Sequence, residues 1–278
     1  MKLHTINTGF FKLDGGAMFG VVPKSMWQKL NPPDDFNMCT WAMRCLLIED
    51  GKRLILIDTG LGDKQDEKFK SHFYPHGSDN LIKSIRSKGY EPEEITDVVL
   101  THLHFDHCGG AVSLSNGKSE LTFKNATYWS SEQHWNWAIN PNPREKASFL
   151  KENILPIQSS GNLKFIENNE FNHPSINFEK VNGHTESMIL VNIETPQFNL
   201  SYSADLIPSI HHIRMPFVMA YDVRPLETLK EKASFLKTAI EKKSILMFEH
   251  DPINECCTLK ETENGIVFDY SFPLNELY

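Results

Sequence analysis

Four potential metal ligands fall within six residues of the segment 101–110, THLHFDHCGG: His102, His104, Asp106 and His107. Imidazole and carboxylate groups together suit Zn, Fe, Mn or Co. Because side chains alternate along a strand, a strand end would project His102 and His104 to one side. A helical turn after it would bring Asp106 and His107 from another direction. Two such ligand sets fit a two-metal site, whose ions lie about 3.5–4 Å apart.

Three more donors follow downstream, each at or near the end of an apolar run. His184 comes after Gly183, and Asp205 and His250 each close a predicted buried strand. An unpaired carboxylate would be costly at such a place. Taken singly, each has an ordinary structural explanation, either a hydrogen-bonded core histidine or a helix-capping aspartate. Taken in order after the first motif, they complete a pattern of donors.

The elements that must position these donors alternate between strands and helices, which predicts an α/β or α+β fold. The pattern includes an Asp50-Gly51 hairpin signal, a helix capped by Ser78 and a helix starting near Pro143. The predicted strands are 40–50, 53–60, 95–102, 187–194, 198–205 and 244–250, with short strands and turns over 151–180 and a hairpin in 257–272. The other predicted helices are 78–89, one within 126–140, and 225–243.

Composition narrows the class of protein. The 278 residues are 40% hydrophobic and 23% charged, which is ordinary for a globular chain. A net charge of −8 gives no electrostatic footprint for nucleic acid or an anionic membrane. An odd number of cysteines without a CxxC pair favours a reduced, intracellular protein. With neither a signal-peptide core nor a run of about 20 apolar residues, a cytoplasmic location is expected.

The donor order resembles that of the metallo-β-lactamase-fold hydrolases: HLHFDH, then single His, Asp and His. The resemblance covers nearly the whole chain. Asp58 in LILIDTG matches an aspartate that is not a metal ligand in that family. Segments 14–27 and 216–229 are similar to the YtnP-type lactonase subgroup. The resemblance implies a four-layer αββα sandwich and a single domain over 1–278.

The resemblance also implies a role for each donor around two divalent ions, with zinc the first choice and Fe, Mn or Co accepted by the same ligands. A bridging hydroxide would be the nucleophile. Asp106 and Asp205 are the predicted catalytic residues, and Asp106 is hypothesised to pass a proton to the leaving alkoxide. The implied ligands are His102, His104 and His184 for the first ion, Asp106, His107 and His250 for the second, and Asp205 for both.

The implied substrate is a lactone or another ester, including N-acyl-homoserine lactones. One departure concerns this assignment: related lactonases carry a tyrosine three residues after the bridging aspartate, and this chain has Pro208. Another donor is then expected in the following loop, beside an apolar pocket. The candidate pocket residues are His211, His212, Met215, Phe217 and Tyr221, with Phe19 and Trp27 over its mouth. Ordinary core packing or a homodimer contact is the alternative role for the apolar ones.

Two other functions remain open at this point. The same centre would serve phosphotriester or organophosphate hydrolysis, and a catalytically silent metal-binding protein could keep the fold. The sequence lacks the GxSxG, GxxxxGK[ST] and GxGxxG motifs of other catalytic classes. The expected partner is a small-molecule ester or lactone, without nucleic acid or membrane, and a homodimer is compatible with the apolar N-terminal segment.

Overall fold

The computed structural model describes residues 1–168 and 170–278. Within them the chain forms two compact units. The first comprises Met1–Gly9 and Met43–Asn172, and the second Phe10–Ala42 and His173–Tyr278. Mixed sheets flanked by helices confirm the predicted α/β class. The assignment of one domain to the whole chain stays a prediction.

Over the described residues, the strands form two six-stranded sheets and a small two-stranded one. The first sheet has the order β1-β2-β3-β4-β7-β8, the second β14-β13-β12-β11-β10-β9, and the third pairs β5 with β6. The strands are β1 (Lys2–Asp14), β2 (Met38–Asp50), β3 (Arg53–Ile57), β4 (Asp97–Val99), β5 (Val112–Ser115), β6 (Lys118–Leu121), β7 (Thr127–Ser130), β8 (Leu163–Phe165), β9 (Ile176–Val181), β10 (Met188–Glu194), β11 (Asn199–Tyr202), β12 (Ile245–Met247), β13 (Cys256–Thr262) and β14 (Gly265–Phe272).

The helices range from a single turn to five turns, and the longest, α8, was predicted from its apolar periodicity. They are α1 (Gly15–Phe19), α2 (Lys24–Trp27), α3 (Glu67–Phe73), α4 (Leu81–Ser87), α5 (Phe105–Cys108), α6 (Glu132–Ile139), α7 (Lys151–Ser160) and α8 (Pro225–Lys242). Among the described residues, none of these helices has the length and apolar character needed to cross a bilayer.

Parallel pairing in the first unit brings several chain segments to one edge of its sheet. β3 pairs parallel with β4, and β4 pairs parallel with β7. Their apolar runs are buried, as expected for strands covered on both faces. Because parallel strands end at the same edge, the residues after β3, β4 and β7 emerge together there. Asp58, His102 and His134 lie in those three following segments.

In the second unit, one parallel strand pair likewise brings two chain segments to the same edge of its sheet. β11 and β12 are parallel neighbours, with Tyr202 opposite Met247. Asp205 and His250 each come three residues after these two positions, so both emerge from the same edge. The hairpins β2–β3 and β13–β14 turn where the sequence predicted, at 51–52 and at 263–264.

Several predicted boundaries were wrong. No helix starts near Pro143; the following residues form turns, and α7 begins at Lys151, within a segment predicted as short strands and turns. The side chain of Asn142 accepts hydrogen bonds from the backbone N–H groups of Arg144 and Glu145, which stabilises a turn there. In the earlier helix, Asn80 rather than Ser78 is the N-cap, since its side chain accepts from the Lys83 N–H group.

Candidate metal centre

The first unit gathers three buried imidazoles and a carboxylate in one short segment. β4 ends at Val99, so His102 and His104 lie in the loop after the strand and not in the strand as predicted. The loop still brings the rings together, with centroids 4.6 Å apart for His102–His104 and 3.8 Å for His102–His107. As predicted, a helical turn follows. This turn, α5, carries Asp106 and His107, and Asp106 Oδ2 lies 3.8 Å from His107 Nε2.

Asp58 fixes one of these rings without being a predicted ligand. Its carboxylate accepts hydrogen bonds from the N–H and hydroxyl groups of Thr101, at 2.8 and 2.6 Å. It also lies 3.2 Å from Nδ1 of His107. Because an ionised carboxylate only accepts, Nδ1 must carry the proton, and Nε2 of His107 holds the lone pair. This orienting role agrees with the expectation from the LILIDTG match.

Thr101 fixes the position of the proton on the neighbouring ring, His102. Its hydroxyl donates to Asp58, so its oxygen is left to accept from Nδ1 of His102, 3.2 Å away. Nδ1 of His102 therefore carries the proton, and Nε2 holds the lone pair. His134 fixes the backbone between the two loop histidines, because its Nε2 accepts a hydrogen bond from the Leu103 N–H group at 2.8 Å.

The glycines after the motif let two backbone segments approach closely. A Cβ atom at Gly109 would lie 2.0 Å from the Leu61 carbonyl oxygen, and one at Gly110 would lie 2.2 Å from that of Thr59. The Gly110 N–H group donates to the Gly60 carbonyl at 2.9 Å. Only glycine fits at 109 and 110 without a shift of the backbone that carries the ligands.

Cys108 lies at the same turn and has a different role. It is completely buried, and its Sγ contacts the Leu103 carbonyl oxygen at 3.3 Å. Burial raises the pKa of this thiol to about 12. A buried thiol of this kind packs beside the motif and is inert.

In the second unit, one carboxylate lies between two imidazoles. Asp205 Oδ2 is 3.1 Å from His184 Nε2, and Asp205 Oδ1 is 3.0 Å from His250 Nε2. All three side chains are buried. Each oxygen of Asp205 thus faces a different ring, the arrangement expected of a carboxylate shared by two metal ions.

The Nδ1 atoms of His184 and His250 also face hydrogen-bond acceptors. His184 Nδ1 is 2.9 Å from Asp222 Oδ1, and His250 Nδ1 is 2.8 Å from the Ala42 carbonyl oxygen. Burial by itself would lower the pKa of His184, but Asp205 and Asp222 raise it to about 10. A ring with acceptors on both sides is satisfied in two ways: as an imidazolium, or with a cation between Nε2 and the carboxylate.

This donor chemistry fits divalent metal ions. Imidazole nitrogens and carboxylates are ligands of Zn, Fe, Mn and Co. Proton placement on Nδ1 leaves Nε2 of His102, His107, His184 and His250 to face a metal. Within the first unit, His102 and His104 each offer a nitrogen within 4.8 Å of the other's.

The predicted pocket residues separate into two groups. Phe19, Trp27 and His212 form a closed stack in the second unit, with ring centroids 5.4 Å (Phe19–Trp27) and 5.1 Å (Phe19–His212) apart. Phe217 packs edge-on against Phe19, and these four side chains are almost completely buried. This is the core packing that the sequence left open as the alternative. Met215, at 36%, and Tyr221, at 39%, are exposed, and His211 is partly buried.

His212 is satisfied within this stack. Its Nε2 donates to the Met18 carbonyl at 2.9 Å, and its Nδ1 accepts from the Ser209 hydroxyl at 2.7 Å. Burial lowers its pKa to about 3, so the ring is neutral. A neutral ring with both nitrogens bonded has no donor left for a substrate.

An aromatic cluster that the sequence did not indicate lies beside the first-unit donors. Phe105, between the ligand candidates His104 and Asp106, packs against Phe69 and Phe73 of α3, with centroids 5.1 and 4.5 Å away. α3 has no buried residue, so the rings of Phe69 and Phe73 stay partly open to solvent. The clue in the sequence is an apolar residue inside a motif otherwise made of ligands.

Sequence spacing also missed three polar residues that contact the donors or the backbone between them: His134, Glu145 and Asp222. None of them lies in a recognisable motif. His134 and Glu145 come 27 and 38 residues after the end of the HLHFDH segment, and only the fold returns them to it. Asp222 lies at the end of the loop that the sequence assigned to substrate binding.

Comparison with known families gives the class to which this fold belongs. The family model described as the metallo-beta-lactamase superfamily matches residues 44–250. The chain belongs to the metallo-β-lactamase superfamily, as its motif order predicted.

Individual relatives are metal-dependent hydrolases, including lactonases. The chain is 25% identical to an N-acyl homoserine lactonase of Bacillus cereus over 90% of its own length and 93% of that protein's. A probable metal-dependent hydrolase from Staphylococcus aureus has a similar structure, with a TM-score of 0.87, 26% identity, and coverage of 98% of this chain and 96% of that one. The prediction of a metal-dependent hydrolase is confirmed at this level.

A third comparison bears on the fold. AidC, a dizinc quorum-quenching lactonase solved with a product N-hexanoyl-L-homoserine, superposes with a TM-score of 0.81 at 24% identity. The match covers 98% of this chain and 95% of that one.

Proposed function

We propose that this chain is a dinuclear-metal hydrolase that opens lactones, with N-acyl homoserine lactones as its substrate class. The observation that carries the proposal is the Asp205 carboxylate, whose two oxygens face His184 and His250 separately at 3.1 and 3.0 Å. The names of the relatives support the choice of lactone over other esters. The seven proposed ligands are those predicted from the sequence: His102, His104, Asp106, His107, His184, Asp205 and His250.

Two divalent ions, zinc being the first choice, would supply a hydroxide at neutral pH and polarise the scissile carbonyl. The residues of the chain orient the donors. Asp58 and Asp222 hold the protons of His107 and His184 on Nδ1, so that Nε2 is available. Asp106, whose carboxylate is nearly buried, would hold the proton that the leaving alkoxide takes up.

The aromatic cluster of Phe69, Phe73 and Phe105 supports an acyl substrate. Its rings lie at the motif that carries the proposed ligands, and apolar side chains next to a few polar groups are typical of small-molecule sites. A Phe105→Ala variant should raise KM for a decanoyl lactone more than for a butanoyl lactone, because the longer chain buries more apolar surface.

The decisive experiment combines metal analysis with a substrate panel. The purified chain should hold two equivalents of divalent metal and hydrolyse N-acyl homoserine lactones faster than aryl esters or phosphotriesters. Asp205→Ala should lose metal and at least about a thousandfold in kcat/KM, whereas Asp269→Ala, at an exposed ion pair, should match the wild type. A metal-replete protein that opens no lactone would overturn the proposal, and preference for phosphotriesters would select the other hydrolase function.

A metal-loaded Asp106→Asn variant tests the proton-transfer role separately. It should lose activity most on substrates with poor leaving groups, where protonation of the alkoxide matters most. Full activity of that variant on such substrates, with both metals bound, would remove the role of Asp106 and leave the hydrolase assignment intact.

A further inference from the structure

Glu145 is a buried carboxylate directed at one of the proposed ligands. It lies in the turn between α6 and α7, is 4% exposed, and places Oε1 3.8 Å from Nε2 of His104. A buried carboxylate is stable only where it is paired and hydrogen-bonded, so the groups around Glu145 decide its role.

The other oxygen of Glu145 is anchored. Oε2 accepts hydrogen bonds from Nε1 of Trp137 at 2.9 Å and from the side-chain amide of Asn142. Asn142 Oδ1 in turn accepts from the Glu145 backbone N–H group at 3.1 Å. Two hydrogen bonds thus fix the orientation of the carboxylate, the third contact fixes Asn142, and Oε1 is left on the side of His104.

His104 itself is held by rings on its faces. The Phe149 ring is 4.8 Å away at 44°, and the His102 ring is 4.6 Å away in a near-perpendicular contact. Since Nε2 of His104 faces Glu145, Nδ1 is the nitrogen on the other side. This reverses the pattern of His107, His184 and His250, in which Nδ1 faces the protein and Nε2 faces the proposed metal.

We propose that Glu145 is a positioning residue whose carboxylate, 3.8 Å from Nε2 of His104, keeps the proton of that ring on Nε2 and so presents Nδ1 to a metal ion. The inference rests on the proposed function, because it needs His104 to be a ligand. Carboxylate partners of ligand histidines fix the tautomer and raise the basicity of the ring, and their loss weakens metal binding about 10- to 100-fold.

The test compares Glu145→Gln with Glu152→Gln, which neutralises an exposed glutamate in the first turn of α7. Zinc affinity is measured by competition with a chromophoric chelator, and the Co²⁺-substituted proteins are compared by visible absorption. Glu145→Gln should bind one of its two ions about 10- to 100-fold more weakly and show an altered Co²⁺ spectrum. Glu152→Gln should match the wild type in both measurements.

A second variant tests the same role in case Glu145→Gln does not fold. Trp137→Phe removes only the N–H donor to Oε2 and should produce a smaller weakening of the same ion. Wild-type affinity and an unchanged spectrum in folded Glu145→Gln would overturn the role of Glu145 while leaving the metal centre in place. A wild-type protein that binds no divalent metal would instead overturn the proposed function and this inference with it.

Discussion

Asp222 holds the imidazole of His184 by a 2.9 Å contact between Oδ1 and Nδ1, and both side chains are nearly inaccessible to solvent. The pair joins the turn after β9 to the end of the loop that follows Asp205. A carboxylate behind a histidine fixes which nitrogen points forward, and here that nitrogen faces Asp205. The contact makes Asp222 part of the proposed centre although it is not a predicted ligand.

Replacement of Asp222 by Asn should therefore weaken metal retention by about 10- to 100-fold, because the amide keeps the shape but loses the charge that stabilises His184. Chelator competition on the purified variant measures this. Asp269→Asn, at an exposed carboxylate paired with Lys260, is the matched control. Equal affinity in the Asp222→Asn variant and the wild type would contradict the orienting role.

His212 should make the protein sensitive to acid. Burial lowers its folded pKa from 6.5 to about 3, so between these values the unfolded chain binds a proton that the folded ring does not. This contribution to stability is present above pH 6.5 and is lost as the pH falls, by up to about 1.4 kcal/mol per pH unit. The unfolding free energy of His212→Phe, followed by urea titration, should fall less steeply from pH 7 to 4. Parallel curves for both proteins would contradict the assignment.

Lys232 is expected to stabilise the loop after Asp205. Its side chain is fully buried, and Nζ donates to the carbonyl oxygens of His212, Arg214 and Phe217 at 2.9–3.0 Å. Lys232→Met leaves three carbonyls without this donor and should lower the unfolding free energy by about 3 kcal/mol or more. Lys237→Met, on the exposed face of the same helix, should change it by less than about 0.5 kcal/mol. Similar urea midpoints for both variants would argue against the role of Lys232.

Tyr221 is our candidate for the hydroxyl that related lactonases place where this chain has Pro208. It is 39% exposed and adjoins Asp222, which orients His184. If its hydroxyl donates to the lactone carbonyl oxygen, Tyr221→Phe should lower kcat by about a hundredfold. Tyr270→Phe, at another exposed tyrosine of the second unit, serves as control. An unchanged kcat in Tyr221→Phe would assign the contact elsewhere.

Local patterns predicted most regular elements and failed at some of their boundaries. The periodicity of α8 and the turn signal at Gly51 are local properties, so the sequence is sufficient for them. The segment after Pro143 has a helical composition, and the side chain of Asn142 accepts from the Arg144 and Glu145 N–H groups as an N-cap does, yet the turns there do not continue as a helix. Most helical stability in proteins comes from tertiary packing, which a local pattern does not contain.

The sequence by itself determined the family and the proposed ligands, because HLHFDH and the single donors after it combine residue type with order along the chain. Only the tertiary structure decided which groups orient those ligands. Asp58, Glu145 and Asp222 contact His107, His104 and His184 across 38 to 49 residues of chain. It also decided that Phe19, Trp27 and His212 are packed against one another while Tyr221 is exposed. Burial and side-chain partners follow from how distant segments pack, and spacing along one chain does not encode them.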